Sequence, residues 1–141
     1  MSNEVKSKLA FVNYNVKEVI LKENDKFQNL GEPIAIGFDL SHKTITNKNN
    51  MKIILKTEIF KNAEENNYPF YMSVTIEGNF KTEGDDIEKF EINGIALLFP
   101  YLRAIISTYT ANSNMPTLIL PPINVGNYYR KHKENEELAT N

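Results

Sequence analysis

The sequence predicts an α+β fold in which a four-stranded antiparallel sheet is followed by a long kinked helix and a short C-terminal helix. Residues 9–83 contain runs in which apolar and polar side chains alternate, a pattern typical of half-buried strands. The segment 95–106 is apolar except at Pro100 and Arg103, which indicates a buried helix. A length of 141 residues fits one domain, so we assign 1–141 to a single unit.

Four strands are predicted in order. The first begins near residue 9 and reaches about residue 21, with a bend near its middle. The second begins at Ile34, and the connection 44–50 is rich in Asn and Lys, as turns often are. The third covers residues 51–60, and residues 63–67 form a loop. The fourth covers residues 70–80, where Gly78 predicts a bulge. Connections of hairpin length predict an antiparallel meander with one apolar face.

Two helices are predicted after the strands. The long helix covers about residues 88–112, and Pro100 predicts a kink because it lacks a backbone donor and crowds the carbonyl of Ala96. Asn124, which follows Pro121-Pro122, is a good N-cap for a second helix over about 124–134. Residues 135–141 are predicted to be a disordered tail.

The long helix carries a prediction about assembly. Residues 95–106 are apolar on every side, so a single sheet face cannot be the only neighbour of this helix. We therefore expect the helix to be buried on two sides, which in so short a chain indicates contact with a second subunit.

Composition excludes several classes of function. A net charge of −2 gives no electrostatic reason to expect nucleic acid or an anionic membrane surface as a partner. The absence of cysteine excludes a disulfide framework, a thiolate zinc site and a cysteine nucleophile. The start of the sequence lacks a basic and then apolar signal, and no apolar run reaches the roughly 20 residues of a membrane span. We therefore predict a cytoplasmic protein without a membrane segment.

The residues that could support catalysis do not form a site in the sequence. His42 and His132 lack metal-ligand spacing to any partner, and both are interpreted as surface histidines. Asp85 and Asp86 belong to an acidic turn, and the basic run 130–133 is interpreted as a solvated helix face. The glycines are scattered, so no phosphate-binding loop is predicted. We predict that the protein is not an enzyme and needs no metal.

Apolar side chains at unusual places are the remaining candidates for function. The chain has eight Phe and seven Tyr. Phe27 and Leu30 lie in a polar connection, and Tyr128 and Tyr129 lie in an otherwise polar helix. Such side chains could line a groove for unfolded polypeptide, because binding of clients without a common sequence requires nondirectional apolar contact.

One motif resembles a known family. Leu98-Phe99-Pro100-Tyr101 is followed by Leu102-Arg103, and the later segment 115–124 reads MPTLILPPIN. This order, with Gly78 and Phe80 upstream, resembles the SecB family of bacterial export chaperones. The motif covers the C-terminal part well, and the order of elements covers nearly the whole chain.

The resemblance implies a SecB-like fold, a homotetramer built as a dimer of dimers, and binding of unfolded or nascent polypeptides without ATP or metal. The implied oligomer interface lies on the long helix, where Arg103 would need an acidic or carbonyl partner or would reach solvent by its aliphatic stem. Its residues are Leu98, Phe99, Tyr101, Leu102, Arg103 and Ile106. The implied client-binding groove contains Phe27, Leu30, Ile34, Val125, Tyr128 and Tyr129.

Departures from the family pattern leave the partner open. Family export chaperones dock on the SecA motor partly through acidic residues of the sheet. At the matching places this chain has Glu18, but also Lys22 and Ser73 where acids are usual. The sequence thus allows three functions: a holdase that keeps preproteins ready for export, a SecB-like chaperone dedicated to the antitoxin of a toxin–antitoxin system, and a non-catalytic oligomeric scaffold.

Overall fold

A computed structural model describes residues 7–140 and confirms the predicted α+β fold. Four antiparallel strands form one sheet, and the long helix and the C-terminal helix pack on one of its faces. The elements are β1 (Lys8–Glu23), β2 (Phe38–Asn47), β3 (Asn50–Ile59), α1 (Ala63–Asn66), β4 (Phe70–Glu83), α2 (Ile87–Ala111) and α3 (Val125–Thr140).

The strand order in the sheet is β1-β4-β3-β2, so the predicted simple meander is wrong. β2, β3 and β4 follow one another as hairpins, but β1 pairs with β4, where Lys8 is opposite Glu83 and Glu23 is opposite Phe70. The connection over residues 24–37 takes the chain from one edge of the sheet to the other. This is the arrangement of a Greek key, in which one long connection joins strands that are not neighbours.

The bulges lie in β1 and not at Gly78. The pairing of β1 with β4 shifts between Phe11 and Asn13 and again between Val16 and Glu18, which places irregularities in the middle of the long first strand. Gly78 pairs regularly with Tyr14 and with Ile53 on its other side. Position 78 requires glycine for a different reason, namely the close approach of α2.

The core lies between α2 and the central strands. Ile95, Leu98, Leu102 and Ile106 of α2 are fully buried, and they pack with the inward-facing side chains of β3 and β4. The spacing of these four residues follows one side of a helix. Pro100 lies within α2, which continues through it to Ala111. Among residues 7–140, α2 is the one helix long and apolar enough to cross a membrane, and 44% of its most apolar window is buried inside the protein.

Several boundaries differ from the predicted ones. β2 begins at Phe38, because Ile34 and Ile36 belong to the irregular connection, and it continues to Asn47 before a tight turn. The predicted loop after β3 contains the single turn α1, flanked by Asn62 and Asn67 in the left-handed conformation. α3 continues to Thr140, so most of the predicted disordered tail is helical; Asn141 lies outside the described residues. Contacts of His132 and Lys133 with Glu136 support the extra helical turns.

Candidate functional site

The irregular connection after β1 forms one wall of a groove of about 320 Å³, here called the connection groove. Phe27, Leu30 and Ile34 line it from the connection, and Tyr68 lines it from the segment before β4. Leu30 is 68% exposed. Since these apolar side chains surround an open space, the groove offers nondirectional contact to an apolar segment of another polypeptide.

Two asparagines hold the connection in place. The side-chain amide of the buried Asn24 donates hydrogen bonds to the carbonyl oxygens of Ala63 and Tyr68, at 3.2 and 2.9 Å. The side chain of Asn67 exchanges two hydrogen bonds of 2.9 Å with the backbone N–H and C=O of Gln28. The connection is therefore fixed to the α1 turn by polar bonds, although it carries exposed apolar side chains.

A second groove, here called the helix groove, has a volume of about 550 Å³ and lies between the start of β2 and the start of α3. Phe38 and Leu40 line it from β2, and Ile123 and Tyr128 line it from the start of α3 and the segment before it. Ile36 and Gly37 join the two grooves along the chain. The two grooves are therefore lined by nearby parts of the chain, within residues 27–35 and 38–40.

Beside the helix groove, a buried carboxylate joins β2, α2 and α3. Glu91 of α2 accepts hydrogen bonds from the hydroxyls of Thr44, at 2.8 Å, and Tyr129, at 3.0 Å. His42 Nε2 lies 3.5 Å from the same carboxylate, and its Nδ1 lies 2.7 Å from the hydroxyl of Tyr128. With the proton on Nε2, which faces the carboxylate, Nδ1 accepts from Tyr128. The ring of His132 is 4.2 Å from that of His42, between centroids.

The ionisation of this network follows from its hydrogen bonds. Burial opposes the charge of Glu91 and by itself raises its pKa, but bonds from His42, Thr44 and Tyr129 outweigh burial and lower the pKa to about 2. Burial raises the pKa of both Tyr128 and Tyr129 above the usual value for tyrosine. Glu91 is therefore a carboxylate and both tyrosines are neutral hydroxyls near neutral pH, so the network fixes α3 against the sheet.

Part of the surface of α2 remains exposed in the single chain. Leu97 is 43% exposed and Tyr101 is 39% exposed, and Tyr109, about two turns after Tyr101, is exposed as well. Tyr101 stacks on Tyr14 of β1 with ring centroids 4.4 Å apart, which extends the apolar surface onto the sheet edge. An exposed apolar row of this length on a core helix is typical of a subunit contact.

The predicted groove residues divide among three places. Phe27, Leu30 and Ile34 meet in the connection groove, and Tyr128 lies in the helix groove. Val125 packs partly against the core, at the start of α3. Tyr129 is only 2% exposed, so its assignment to a groove is wrong. Its side chain points to Glu91, which a reading of the last helix alone did not reveal.

The predicted interface residues are mostly internal to the protomer. Leu98, Phe99, Leu102 and Ile106 face the sheet, and only Tyr101 of the apolar residues points outward. The Nε of Arg103 donates a 3.0 Å hydrogen bond to the carbonyl oxygen of Leu120, so this side chain has a carbonyl partner in the same chain. A segment that is apolar on every side does not show which side of the helix faces the sheet. The sequence therefore did not distinguish the buried side chains of α2 from the exposed ones.

The other predicted residues are explained by the sheet. Glu18 and Lys22 are exposed on the face opposite the helices, whereas Ser73 is buried on that face. His42 lies in the middle of β2 and its side chain is 3% exposed, so its interpretation as a surface histidine is wrong.

The sequence did not indicate Asn24, Asn67 and Glu91 as functional residues, because their hydrogen-bond partners are far from them in sequence. Among residues 7–140, no group of three or more His, Asp or Glu is arranged to hold a metal ion.

Known proteins are similar to this chain in sequence and in fold. The sequence profile of the family described as preprotein translocase subunit SecB matches residues 5–136. An uncharacterised protein of Methanocaldococcus jannaschii is 38% identical, with 96% of this chain and 91% of that protein covered. The protein-export protein SecB of Dichelobacter nodosus is 25% identical, with 80% of this chain and 75% of that protein covered.

A solved structure has a similar fold. A SecB-like chaperone of Mycobacterium tuberculosis, in complex with a peptide from the HigA1 antitoxin, superposes with a TM-score of 0.65. The two sequences are 10% identical, and the match covers 82% of this chain and 91% of that one. The likeness at this identity concerns the fold. Because the family profile matches nearly the whole sequence and the folds agree, this chain belongs to the SecB family.

Proposed function

We propose that this protein is an ATP-independent holdase that binds unfolded preproteins in the cytoplasm and keeps them competent for export. The observation that carries the proposal is the connection groove, in which Phe27, Leu30 and Ile34 are held open by asparagine hydrogen bonds. A flexible apolar loop would collapse onto the core, whereas a connection fixed by polar bonds keeps its apolar side chains available. The mode of action requires no catalysis and no cofactor.

The helix groove supports the same function. Its volume of about 550 Å³ and its apolar residues Phe38, Leu40 and Ile123 allow a second contact with the same client. Two weak sites on one chain raise the affinity of an extended client, because the second contact forms at a high effective concentration. A homotetramer would multiply this effect, and the exposed row of α2 supports such an assembly.

The proposal is tested by the light-scattering mass of the purified protein, alone and after addition of a slow-folding preprotein diluted from denaturant. We expect a particle of about four chains that takes up the client and keeps it soluble. Phe27→Ser with Leu30→Ser should weaken holding without changing the mass of the assembly. Ile119→Ser with Leu138→Ser is the matched control, since both side chains are exposed apolar residues that line neither groove.

If holding by the Phe27 and Leu30 variant equals that of the control, the groove is placed incorrectly. If the wild-type assembly does not bind the unfolded preprotein at all, the general holdase function is wrong, whatever the mass of the particle.

A chaperone dedicated to one antitoxin is the second candidate. It is supported by the structural likeness to a SecB-like chaperone that holds an antitoxin peptide, and by Lys22 and Ser73 at places where export chaperones carry acids. Such a protein would keep the connection groove but lose motor docking. A toxin–antitoxin pair beside the gene, and binding of that antitoxin in preference to a preprotein, would favour this function. If the protein binds neither the preprotein nor the antitoxin, the function as a non-catalytic oligomeric scaffold remains.

A further inference from the structure

We propose that the open face of the sheet carries a second docking surface, which binds an acidic segment of a partner protein. The surface is here called the basic patch and consists of Lys43, Lys52 and Lys56 around Ile54, with Ile45 beside them on β2. Its position on the sheet separates it from both grooves, so it goes beyond client holding.

The strand register brings these five residues together. Lys43 of β2 is directly opposite Ile54 of β3, and Ile45 is opposite Lys52. Lys52 and Lys56 lie two residues to either side of Ile54, so each is a diagonal neighbour of Lys43 at about 7–8 Å on the same face. His42 and Thr44 point to the opposite face, where they contact Glu91, so alternation along β2 turns Lys43 and Ile45 away from the helices.

The cations of the patch are only partly neutralised. Lys52 Nζ lies 2.8 Å from Glu77, and the same carboxylate lies 3.2 Å from Lys17. The hydrogen bond from Lys52 lowers the pKa of Glu77, which keeps this group ionised. Among residues 7–140, neither Lys43 nor Lys56 forms an ion pair. The patch therefore keeps a net positive charge although the chain as a whole has a net charge of −2.

The stability of the sheet does not explain this arrangement. Lys43 is a diagonal neighbour of both Lys52 and Lys56, so these like charges repel one another, and Ile45 beside them is 45% exposed. An apolar centre with a charged rim is the usual composition of a protein–protein contact. Acidic side chains of a partner would relieve the repulsion, and an apolar side chain beside them would cover Ile45 and Ile54.

The same charges favour a polypeptide over a nucleic acid or a lipid surface. Glu77 and Glu18 lie on this face of the sheet, and they would repel a continuous array of phosphates. A peptide can place its carboxylates beside the lysines and leave these acids free. The occupant is therefore an acidic peptide segment that contains at least one large apolar residue.

The test is the fluorescence anisotropy of a labelled synthetic peptide made mostly of Glu and Asp, with two central leucines. We expect it to bind the full-length protein, and we expect a peptide in which Lys replaces the acids not to bind. Lys43→Glu with Lys56→Glu should weaken binding by about tenfold or more, since like charges across a contact oppose association. Lys89→Glu with Arg130→Glu changes the net charge equally on exposed positions of the helices, outside both grooves, and should leave binding nearly unchanged.

Circular dichroism melting establishes that each variant is folded. Should the double glutamate variant melt early, Ile45→Thr serves instead, because threonine suits a strand but removes apolar contact. Equal weakening by the patch and helix variants would overturn the proposal, as would preference for a single-stranded RNA or for anionic lipid vesicles over the acidic peptide. Holding of unfolded preprotein by the patch variants should stay at the wild-type level, which separates this docking surface from the proposed groove.

Discussion

Gly78 shows how one residue sets the distance between the sheet and its helix. A Cβ at this position would lie 2.6 Å from Cδ2 and 3.0 Å from Cγ of Leu98, closer than such atoms are found. Gly37, in contrast, has open space at the same position. The sequence suggested a special role for Gly78, but the role is close packing and not a bulge, because alternation along one strand does not show what lies above it.

We expect Gly78→Ala to destabilise the protein by about 1–3 kcal/mol, because the added methyl group pushes Leu98 away from β4. Urea denaturation measures the change in the free energy of unfolding. Gly37→Ala is the matched control and should change it little. Leu98→Val in the Gly78→Ala background should recover part of the loss, and the absence of any recovery would argue that the strain lies in the strand itself.

The buried carboxylate of Glu91 predicts how stability depends on pH. Its pKa is lowered from 4.5 to about 2 in the folded protein. A group with a lowered pKa stabilises the fold above its unfolded value, so this contribution is complete above about pH 4.5 and is lost as the pH falls towards 2. The contribution is on the order of 2–3 kcal/mol.

Thermal or urea unfolding between pH 2 and 6 tests this dependence. Glu91→Gln should be less stable than wild type near pH 6 and should show a smaller loss on acidification. Glu88→Gln, an exposed change in the first turn of the same helix, should keep the wild-type slope. Identical acid slopes for wild type and Glu91→Gln would mean that other carboxylates control the transition.

At the scale of elements, the sequence predicted which segments are strands and helices better than where they end. Alternation located all four strands, but it extended into the connection at Ile34 and Ile36, where the same alternation continues without strand pairing. The order of strands was missed because pairing of β1 with β4 depends on contacts between distant residues. The connection 24–37 was recognised as a place for exposed apolar residues, whereas the asparagines that fix it had no visible partner in the sequence.

Those asparagines give a prediction for the connection as an element. Asn67→Gly keeps the left-handed backbone, which glycine adopts readily, but removes both hydrogen bonds to Gln28. We expect a local loss of about 1 kcal/mol for each bond and faster hydrogen exchange at the Gln28 amide. The neighbouring Asn66→Gly removes a bond to Lys61 only and should leave exchange at Gln28 unchanged. Equal exchange in both variants would show that other contacts hold the connection.

At the scale of the whole molecule, the exposed residues of α2 are the candidates for a subunit contact, and the interface predicted from the sequence stays a prediction. The prediction that this helix is buried on two sides was based on its apolar residues, and one chain covers only the row of Leu98 and Leu102. Leu97 and Tyr101 are left partly exposed in the single chain, and a second copy of the chain that covers them would fit the proposed tetramer. The apolar segment thus led to the expectation of a subunit contact, but it did not show which side chains face the sheet and which stay exposed.

We expect Leu97→Glu with Tyr101→Glu to reduce the assembly to smaller species, because two charges would be buried in an apolar contact. Light scattering during gel filtration measures the mass. Leu138→Glu, at an exposed position near the end of α3, is the control and should leave the mass unchanged. An unchanged mass for the double variant would place the subunit contact elsewhere.

The pairing of β1 with β4 also has a consequence for synthesis on the ribosome. β1 leaves the exit tunnel first, but its partner strand Phe70–Glu83 follows only after β2, β3 and the connection have been made. Until then both edges of β1 lack their hydrogen bonds, and such unpaired strands are prone to aggregation. Synthesis of this chain therefore passes through a state in which β1 is an unpaired strand without its neighbour in the sheet.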